Sequence, residues 1–318
     1  MRNEMDSPTP LDIDAIRAGG KPAVARALAA VETNGGTLRH AALLDACVAT
    51  PGGHVLGLTG PPGVGKSTLT NALVRMIRGR GESLGVIAVD PSSRVTRGAL
   101  LGDRTRLKTD PEDRAIFVRS MAARDRLGGL SDHAVGAVAL MQAVYDRVIV
   151  ESVGIGQSEA DVATVADTVV LCIQPGSGDS LQFMKAGVME IPDIVVVTKA
   201  DMGAAARRAV ADVEGALSLS VRAPDAWTPP VLALSSTTGA GLDRLLDAVE
   251  AHRAFATEPA RHAAFRAARH RHWVTDAVKV AFGTRGLAAV DPDAAMACAA
   301  GPFSAIQELT RFLSEKLR

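Results

Sequence analysis

The sequence predicts an α/β fold in which a mostly parallel sheet is flanked by helices. Short apolar runs alternate with helical patterns between residues 54 and 254. Apolar strands that alternate with helices are typical of parallel sheets covered on both faces. A glycine-rich loop follows the first apolar run and precedes the first of these helices. Because ligands of open α/β sheets bind beyond the carboxyl ends of the strands, we expect the functional site at that edge.

Each strand is predicted from a short run that is rich in valine, isoleucine and leucine. The predicted strands are 54–59, 84–90, 115–120, 146–151, 168–174, 193–198 and 230–235. Apolar residues at helical spacing predict the helices that lie between most of them. The predicted helices are at about 67–80, 131–144, 180–190, 203–218 and 240–252. Together they define a predicted central domain over residues 54–254.

Residues 1–53 and 255–318 are predicted to be helical extensions of this domain. Apolar residues recur at helical spacing before residue 50, and Pro51-Gly52-Gly53 ends the first extension. The second extension has no convincing strand but carries more aromatic and aliphatic residues than a solvated tail needs. We expect it to pack on the domain or to pair with a second copy. Its stretch 261–271 is rich in arginine and histidine, which favours a solvated basic helix face over a metal site.

The composition limits the expected partners and compartment. Thirty-five basic and thirty-five acidic residues cancel, and aromatic residues make up 3% of the 318-residue chain, so we expect no nucleic-acid partner. The start of the chain lacks a signal-peptide pattern, and no uncharged apolar stretch reaches about 18 residues, so we expect no membrane partner. Three widely spaced cysteines favour a reducing, cytoplasmic location. Cys172 lies in an apolar run and is expected to be buried and inert.

The segment from residue 60 to residue 68 fits the phosphate-binding pattern G-x-x-x-x-G-K-[ST]. Its residues are Gly60, Pro61, Pro62, Gly63, Val64, Gly65, Lys66, Ser67 and Thr68. Glycines let successive backbone N–H groups point at one anion, and the following helix adds the positive end of its dipole. Lys66 would neutralise the outer phosphates, and the Ser67 hydroxyl would bind Mg²⁺. The chain is therefore predicted to be a P-loop NTPase.

Two later segments predict that the bound base is guanine. Thr198-Lys199-Ala200-Asp201 ends a strand and resembles the N-K-x-D motif of G proteins, with threonine in the asparagine position. The Asp201 carboxylate would accept hydrogen bonds from N1–H and the amino group of guanine, whereas adenine has no N1–H. Ser235, Ser236 and Thr237 follow the last strand and resemble the loop that backs the guanine ring. We therefore predict that the nucleotide is GTP or GDP. An ordinary strand-to-helix turn is the alternative for Lys199 and Asp201, and a capping turn before the next helix is the alternative for residues 235–237.

Acidic residues near other strand ends are candidate magnesium ligands. Glu151 ends a strand and precedes Gly154, which resembles the D-x-x-G element that senses the γ-phosphate. Asp90 also ends a strand, and Asp103 lies in a long loop that suits a nucleotide-dependent switch. With Ser67 these three carboxylates form the predicted Mg²⁺ set. An ordinary solvated turn is the alternative for Asp90.

Several of these segments together resemble one family. They are Gly60 to Thr68, Asp90 to Ser93, Leu101 to Arg106, Leu127 to Leu130, Glu151 to Glu159 and Lys185 to Glu190. The chain resembles the MeaB/ArgK family, which are G-protein chaperones of adenosylcobalamin-dependent methylmalonyl-CoA mutase. The resemblance runs from about residue 10 to the end and is densest from 54 to 201.

This resemblance implies a P-loop GTPase domain over 54–254 and a homodimer held through residues 255–318. It implies that methylmalonyl-CoA mutase, or a related cobalamin-dependent mutase, is the client. The stretch from Gly178 to Glu190 would be an additional switch that relays mutase binding to the nucleotide, with Asp179, Gln182 and Lys185 as its polar members. Hydrolysis is expected to be slow alone and stimulated by the mutase. The predicted catalytic residues are Lys66, Asp103, Glu151 and Lys185.

Two other functions stay open at this level. A P-loop kinase, an ArgK-like phosphotransferase, would need an acceptor pocket and a base that activates the acceptor, and the sequence identifies neither. A nickel-insertion GTPase would carry clusters of cysteine and histidine beside the nucleotide, and no such pattern is evident in the sequence. Sequence patterns identify neither the client mutase nor whether cofactor loading or repair dominates.

Overall fold

A computed structural model describes residues 12–34, 37–50, 52–90, 109–110, 112–122, 132–152, 158–176, 190–219, 223 and 225–316. The strands are β1 (His54–Thr59), β2 (Leu84–Asp90), β3 (Ile116–Ala122), β4 (Arg147–Glu151), β5 (Thr168–Ile173), β6 (Ile194–Val197) and β7 (Val231–Ala233). The helices before β4 are α1 (Ile13–Ala18), α2 (Gly20–Asn34), α3 (Leu38–Ala49), α4 (Lys66–Gly79) and α5 (Asp132–Val144). Those after it are α6 (Ser158–Ala163), α7 (Ala204–Ser218), α8 (Leu242–Ala256), α9 (Pro259–Ala288), α10 (Pro292–Cys298) and α11 (Pro302–Lys316).

The seven strands form one sheet in the order β3-β2-β4-β1-β5-β6-β7. Every described pairing is parallel, which confirms the predicted sheet. Strand β1 lies between β4 and β5, with Leu58 opposite both Glu151 and Val170. The carboxyl ends of the strands therefore meet at one edge, and the loop after β1 lies near the centre of that edge.

Alternating side chains of the strands divide the core into two layers, as the two-residue period of a strand requires. Val55 packs in the layer formed with α2, α3 and α5. Leu56 and Leu58 pack in the opposite layer, with α4 and α8. Both faces of the sheet are therefore covered, which explains why β1, β4, β5 and β6 are continuously buried. Cys172 is fully buried in this core, and burial raises the pKa of its thiol to about 12, as expected for an inert residue.

The terminal segments pack on the central domain of the same chain. Helix α1 is joined to α5 by the guanidinium of Arg17, whose Nε lies 3.0 Å from the carbonyl oxygen of Ala143. The buried Asp45 of α3 accepts hydrogen bonds from the backbone amides of Phe303 and Ser304 at 2.8 and 3.0 Å, at the beginning of α11. Trp273 of α9 donates to the carbonyl oxygen of Thr164 at 2.8 Å. Carboxylates at a helix N-terminus and buried aromatic rings stabilise such contacts.

The strand predictions agree with the structure to within two residues at every end, although β7 is shorter than predicted. The short helix α6 was not predicted, because six residues are too few for a periodic pattern. The predicted helix over 180–190 lies outside the described residues, apart from Glu190. None of the described helices is long and apolar enough to cross a membrane.

At the amino edge of the sheet, burial makes stability depend on pH. His54 is buried, and desolvation lowers its pKa from 6.5 to about 4. As pH falls from about 6.5 to 4, His54 becomes protonated in the unfolded chain but stays neutral in the folded chain. The free energy of unfolding therefore decreases. A shift of this size corresponds to about 3 kcal/mol. Urea unfolding across this pH range should show the decrease, and His54→Gln should remove that part of it. An equally steep curve for the variant would contradict the assignment.

Candidate nucleotide site

The loop between β1 and α4 has the backbone geometry of an anion cradle. Gly60, Gly63 and Gly65 have φ values of 132°, 78° and 100°, a region that side chains other than glycine rarely adopt. These angles turn the chain sharply from the buried strand into the helix that begins at Lys66. The first turn of α4 therefore presents its backbone amides, and the positive end of its dipole, beyond the sheet.

Lys66 lies folded over this loop. Its Nζ donates to the carbonyl oxygens of Gly60 and Pro61 at 2.7 and 3.1 Å, and only 7% of the residue is exposed. The stem is thus packed against the protein while the ammonium group stays at the rim of the loop. This position suits a positive charge that meets phosphate oxygens, since the rest of the loop supplies only backbone dipoles.

Glu151 brings the end of β4 to the beginning of α4. Its two carboxylate oxygens accept hydrogen bonds from Ser67 Oγ at 2.6 Å and from Thr70 Oγ1 at 2.8 Å. Hydroxyl and carboxylate oxygens are the ligands that Mg²⁺ prefers, so these residues fit a magnesium shell. Sequence reasoning missed Thr70. Thr70 is three residues after Ser67, which puts both hydroxyls on one face of the helix. This spacing could have identified Thr70 from the sequence.

The other predicted magnesium ligands are only partly placed. Asp90 ends β2, two residues beyond Ala88, which pairs with Glu151 in the sheet. Its backbone is therefore at the same edge, although its side chain is outside the described part of the chain. Asp103, Gly154 and Lys185 also fall outside the described residues, so their roles stay predictions.

Thr198 joins the end of β6 to the phosphate-binding loop. Its hydroxyl oxygen lies 2.8 Å from the carbonyl oxygen of Val64 and 3.1 Å from that of Ile173, and the residue is 3% exposed. The hydroxyl has one proton, so it donates a hydrogen bond to one of these carbonyl oxygens at a time. Threonine in place of the usual asparagine thus still connects the two motifs through a buried hydrogen bond.

Lys199, which follows β6, contacts the phosphate-binding loop through its side chain. It has φ 54° and ψ 44°, the left-handed conformation, and is the one non-glycine residue with positive φ in the described ranges. Its Nζ donates to Gln174 Oε1 at 2.5 Å and lies 3.3 Å from the carbonyl oxygen of Gly63. Such strained residues cluster at binding sites, where the surrounding contacts hold them. Gln174, at the end of β5, was not predicted from the sequence.

Asp201 and the loop after β7, the two segments predicted to bind guanine, lie next to each other. The Ser235 side chain donates to the Asp201 carboxylate, and this hydrogen bond, its own backbone amide and nearby Lys199 hold the pKa of the carboxyl below its usual value. The backbone N–H of Ala200 donates to the carbonyl oxygen of Leu234 at 3.0 Å. The carboxylate is exposed and ionised, so it can accept hydrogen bonds from a ligand.

The serine-threonine loop is a closed turn rather than an open segment. The N–H of Ser235 donates to the carbonyl oxygen of Ala240, and the N–H of Gly239 donates to that of Ser235, both at 2.9 Å. Ser235 is buried, whereas Thr237 is exposed and Ser236 is intermediate. The structure therefore brings the phosphate loop, Glu151, Lys199, Asp201 and this turn to the same edge of the sheet.

This combination of a glycine-rich loop and two converging segments predicted to bind a base agrees with the similarity to known proteins. The family described as methylmalonyl Co-A mutase-associated GTPase MeaB matches residues 24–290. The chain belongs to the MeaB family. Among its relatives, a protein of Pyrococcus horikoshii named as a GTPase is 41% identical over 270 residues, which are 82% of this chain and 83% of that protein.

Two further similarities extend over much of the chain. The GTPase ArgK of Escherichia coli is 39% identical over 242 residues, which are 74% of this chain and 72% of that protein. The crystal structure of a protein named LAO/AO transport system kinase has a TM-score of 0.70 at 28% identity, and the match covers 98% of this chain and 99% of that one. The names of the relatives and the P-loop fold support GTPase activity for this chain.

Proposed function

We propose that this MeaB-family protein binds and hydrolyses GTP to gate the loading of adenosylcobalamin onto methylmalonyl-CoA mutase and to protect that enzyme. The proposal extends to a related cobalamin-dependent mutase as the client enzyme. The observation that carries the proposal is the family match over residues 24–290, because the family is described as mutase-associated. The converging guanine and phosphate motifs support the nucleotide part.

The site residues have distinct proposed roles. Asp201 selects guanine, with Ser235 orienting its carboxylate, while Ser236 and Thr237 back the ring. Lys66 and the amides of residues 60–68 hold the phosphates. Magnesium, which would stabilise charge on the phosphates, would be held by Ser67 and Glu151, with Asp90 and Asp103 completing the set. The hydrogen bond between Ser67 and Glu151 supports this assignment because it already places a hydroxyl and a carboxylate together.

Hydrolysis by the chain alone is proposed to be slow. Ile155, and not a glutamine that would position water, follows Gly154. Unassisted Ras-like GTPases turn over at about 10⁻⁴ to 10⁻³ per second, and a residue added to the site can raise that rate by orders of magnitude. We propose that mutase binding repositions Lys185, within the switch from Gly178 to Glu190, towards the phosphates. Coupling of this kind is reciprocal, so nucleotide and mutase must change each other's affinity by the same factor.

The helical segment over residues 255–318 is the proposed dimer interface. Phe265 and Phe312 support it, because 40% and 49% of these large apolar residues are exposed in the single chain. Trp273 is buried and contributes little to such a surface, and it packs on the partly buried Phe303 with ring centres 5.9 Å apart inside the chain. The proposed location of the dimer is the cytoplasm.

A GTPase assay with and without the cognate mutase tests the proposal. We expect the mutase to accelerate phosphate release by at least about tenfold, since one well-placed cation commonly contributes that much or more. Lys185→Ala should lose most of this stimulation while keeping GTP affinity, because Lys66 and the loop amides are intact. Arg207→Ala, which removes an exposed cation from α7, is the matched control and should retain the stimulation.

The same assay distinguishes the proposal from the kinase alternative. That alternative is retained because the structurally similar protein is named as a kinase. Transfer of labelled γ-phosphate to an acceptor, in place of release as free phosphate, would favour a kinase. Absence of both stimulation and a nucleotide-dependent complex on a sizing column would reject the mutase-chaperone function.

A further inference from the structure

A cavity of about 220 Å³ lies at the amino edge of the sheet, the opposite end from the phosphate loop. It is bounded by the end of α3, the start of β1, the end of α8 and the first half of α9. Its wall includes His54, Arg253, Arg266, Arg269 and His270. The arginines and the histidine of α9 come from the stretch predicted to be a solvated basic face, so that prediction is wrong for this side of the helix.

The cavity is positively charged. Its described lining has three arginines and one carboxylate, that of Asp167. Arg269 pairs with Asp167 at 2.8 Å, and Arg253 lies 3.7 Å from the half-exposed Glu250. Arg266 donates instead to the neutral carbonyl oxygen of Val48 at 2.6 Å, and no carboxylate in the described ranges pairs with it. An anion in the cavity would therefore meet an excess of positive charge beside partly buried side chains, where electrostatic attraction is stronger than in bulk water.

Three residues that line this cavity each have one buried nitrogen atom without a hydrogen-bond partner among the described residues. The atoms are His54 Nδ1, Arg269 Nε and His270 Nε2. His54 is 5% exposed, and the side chain of Arg269 is 8% exposed. A buried polar group without a partner costs about 1–3 kcal/mol, and native proteins have few of them. Their concentration around one cavity indicates a ligand with complementary groups.

A chain of polar contacts indicates which group His54 offers to a ligand. His252 Nε2 lies 3.2 Å from the Asp193 carboxylate, which favours a proton on that nitrogen, so the other nitrogen of a singly protonated His252 ring is an acceptor. That Nδ1 accepts from Thr168 Oγ1 at 2.7 Å, and Thr168 in turn accepts from His54 Nε2 at 2.9 Å. His54 Nδ1 is therefore left with a lone pair. The cavity thus combines cationic donors with one buried acceptor.

We propose that this cavity binds hydrogen phosphate, with Arg266 and the free N–H of Arg269 donating to its oxygens and His54 Nδ1 accepting from its hydroxyl. Arginine suits tetrahedral oxyanions because its N–H groups are arranged in a planar fork. The cavity is smaller than the roughly 300–1,000 Å³ of sites for drug-sized ligands, which favours a small anion. A carboxylate or a sulfate dianion lacks the hydroxyl that His54 requires.

Binding there would fasten α9 to the central domain, because the donors belong to α9 and the acceptor to β1. The two segments are already joined by the Arg269–Asp167 ion pair and by the Trp273–Thr164 hydrogen bond. Phosphate would thus stabilise the position of the proposed dimer segment relative to the GTPase domain, and it would raise the apparent stability of the whole chain by mass action.

The test is isothermal titration of the full chain, loaded with GDP and Mg²⁺ so that the phosphate loop is filled. Inorganic phosphate, sulfate and glycerol phosphate are compared at pH 8, where the last two are dianions without an acidic hydroxyl. One phosphate per chain should bind about tenfold or more tightly than the other two, because a hydrogen bond to a charged group contributes about 1.5–3 kcal/mol. Equal affinity for sulfate and phosphate would overturn the proposal without use of any variant.

Variants then locate the site. Arg266→Gln should weaken phosphate binding at least about tenfold while circular dichroism remains native. Arg271→Gln is the matched control on the same helix, because its guanidinium is 59% exposed and pairs with Asp293. It should leave phosphate affinity unchanged. Phosphate binding that survives Arg266→Gln, or that both variants reduce equally, would overturn the assignment to this cavity. The phosphate titration measures neither GTP binding nor GTP hydrolysis. A negative result would therefore not contradict the proposed function.

Discussion

Replacement of Asp201 by asparagine should lower GTP and GDP affinity by about 10²- to 10⁴-fold and should shift the preference towards xanthine nucleotides. The native carboxylate is exposed and ionised, and the Ser235 hydrogen bond keeps its pKa low. It can accept from two guanine donors at once, and each hydrogen bond to a charged group contributes about 1.5–3 kcal/mol. Asparagine replaces one acceptor by a donor, which matches the carbonyl oxygen that xanthine carries in place of the guanine amino group. Titration with fluorescent GDP and xanthosine diphosphate measures both affinities.

The matched control for this change is Asp212→Asn on α7, which removes another exposed carboxylate on the helix that follows the predicted guanine motif. It should leave the affinity for every nucleotide unchanged. The native protein should also bind GTP well above ATP, since adenine would leave the Asp201 carboxylate without its two donors. Equal affinity of the native chain for ATP and GTP would refute the guanine assignment.

Alanine at position 60 should abolish nucleotide binding and destabilise the domain. A Cβ atom on Gly60 would lie 2.2 Å from the backbone oxygen of Cys172, and the residue has φ 132°. The oxygen belongs to the buried strand β5 and cannot move aside as a flexible side chain would. Backbone strain and overpacking each cost about 1–3 kcal/mol, so a loss of roughly 2–6 kcal/mol is expected. Urea unfolding measures this loss, and nucleotide titration reports the state of the loop.

Gly63→Ala provides the comparison within the same loop. Gly63 also has positive φ, 78°, but a Cβ there would meet no described atom within 4 Å. The expected cost is therefore only the left-handed backbone term of about 1–2 kcal/mol, and the fold should be retained. If Gly60→Ala were no more destabilising than Gly63→Ala, the close approach of the loop to β5 would not be the reason for glycine at position 60.

The positions of much of the candidate site were predictable because its motifs are short and continuous in sequence. The phosphate loop and the segment from Thr198 to Asp201 each depend on neighbouring residues at a strand end, and both are where the pattern placed them. Thr70 and Gln174 were missed for the opposite reason. Each is an ordinary polar residue whose importance comes from a partner far along the chain, since Thr70 meets Glu151 across 81 positions.

The sequence by itself determined the strands, most of the helices, the covered parallel sheet and the phosphate and base motifs. These properties depend on local periodicity and on residues close in sequence, which report how a segment must bury its apolar face. Only the tertiary structure decided the strand order, the meeting of Ser67 with Glu151 and the basic cavity that joins His54 to Arg266 and Arg269. Such contacts join segments far apart in the chain, and their geometry follows from how whole helices pack on the sheet, a property that no local pattern encodes.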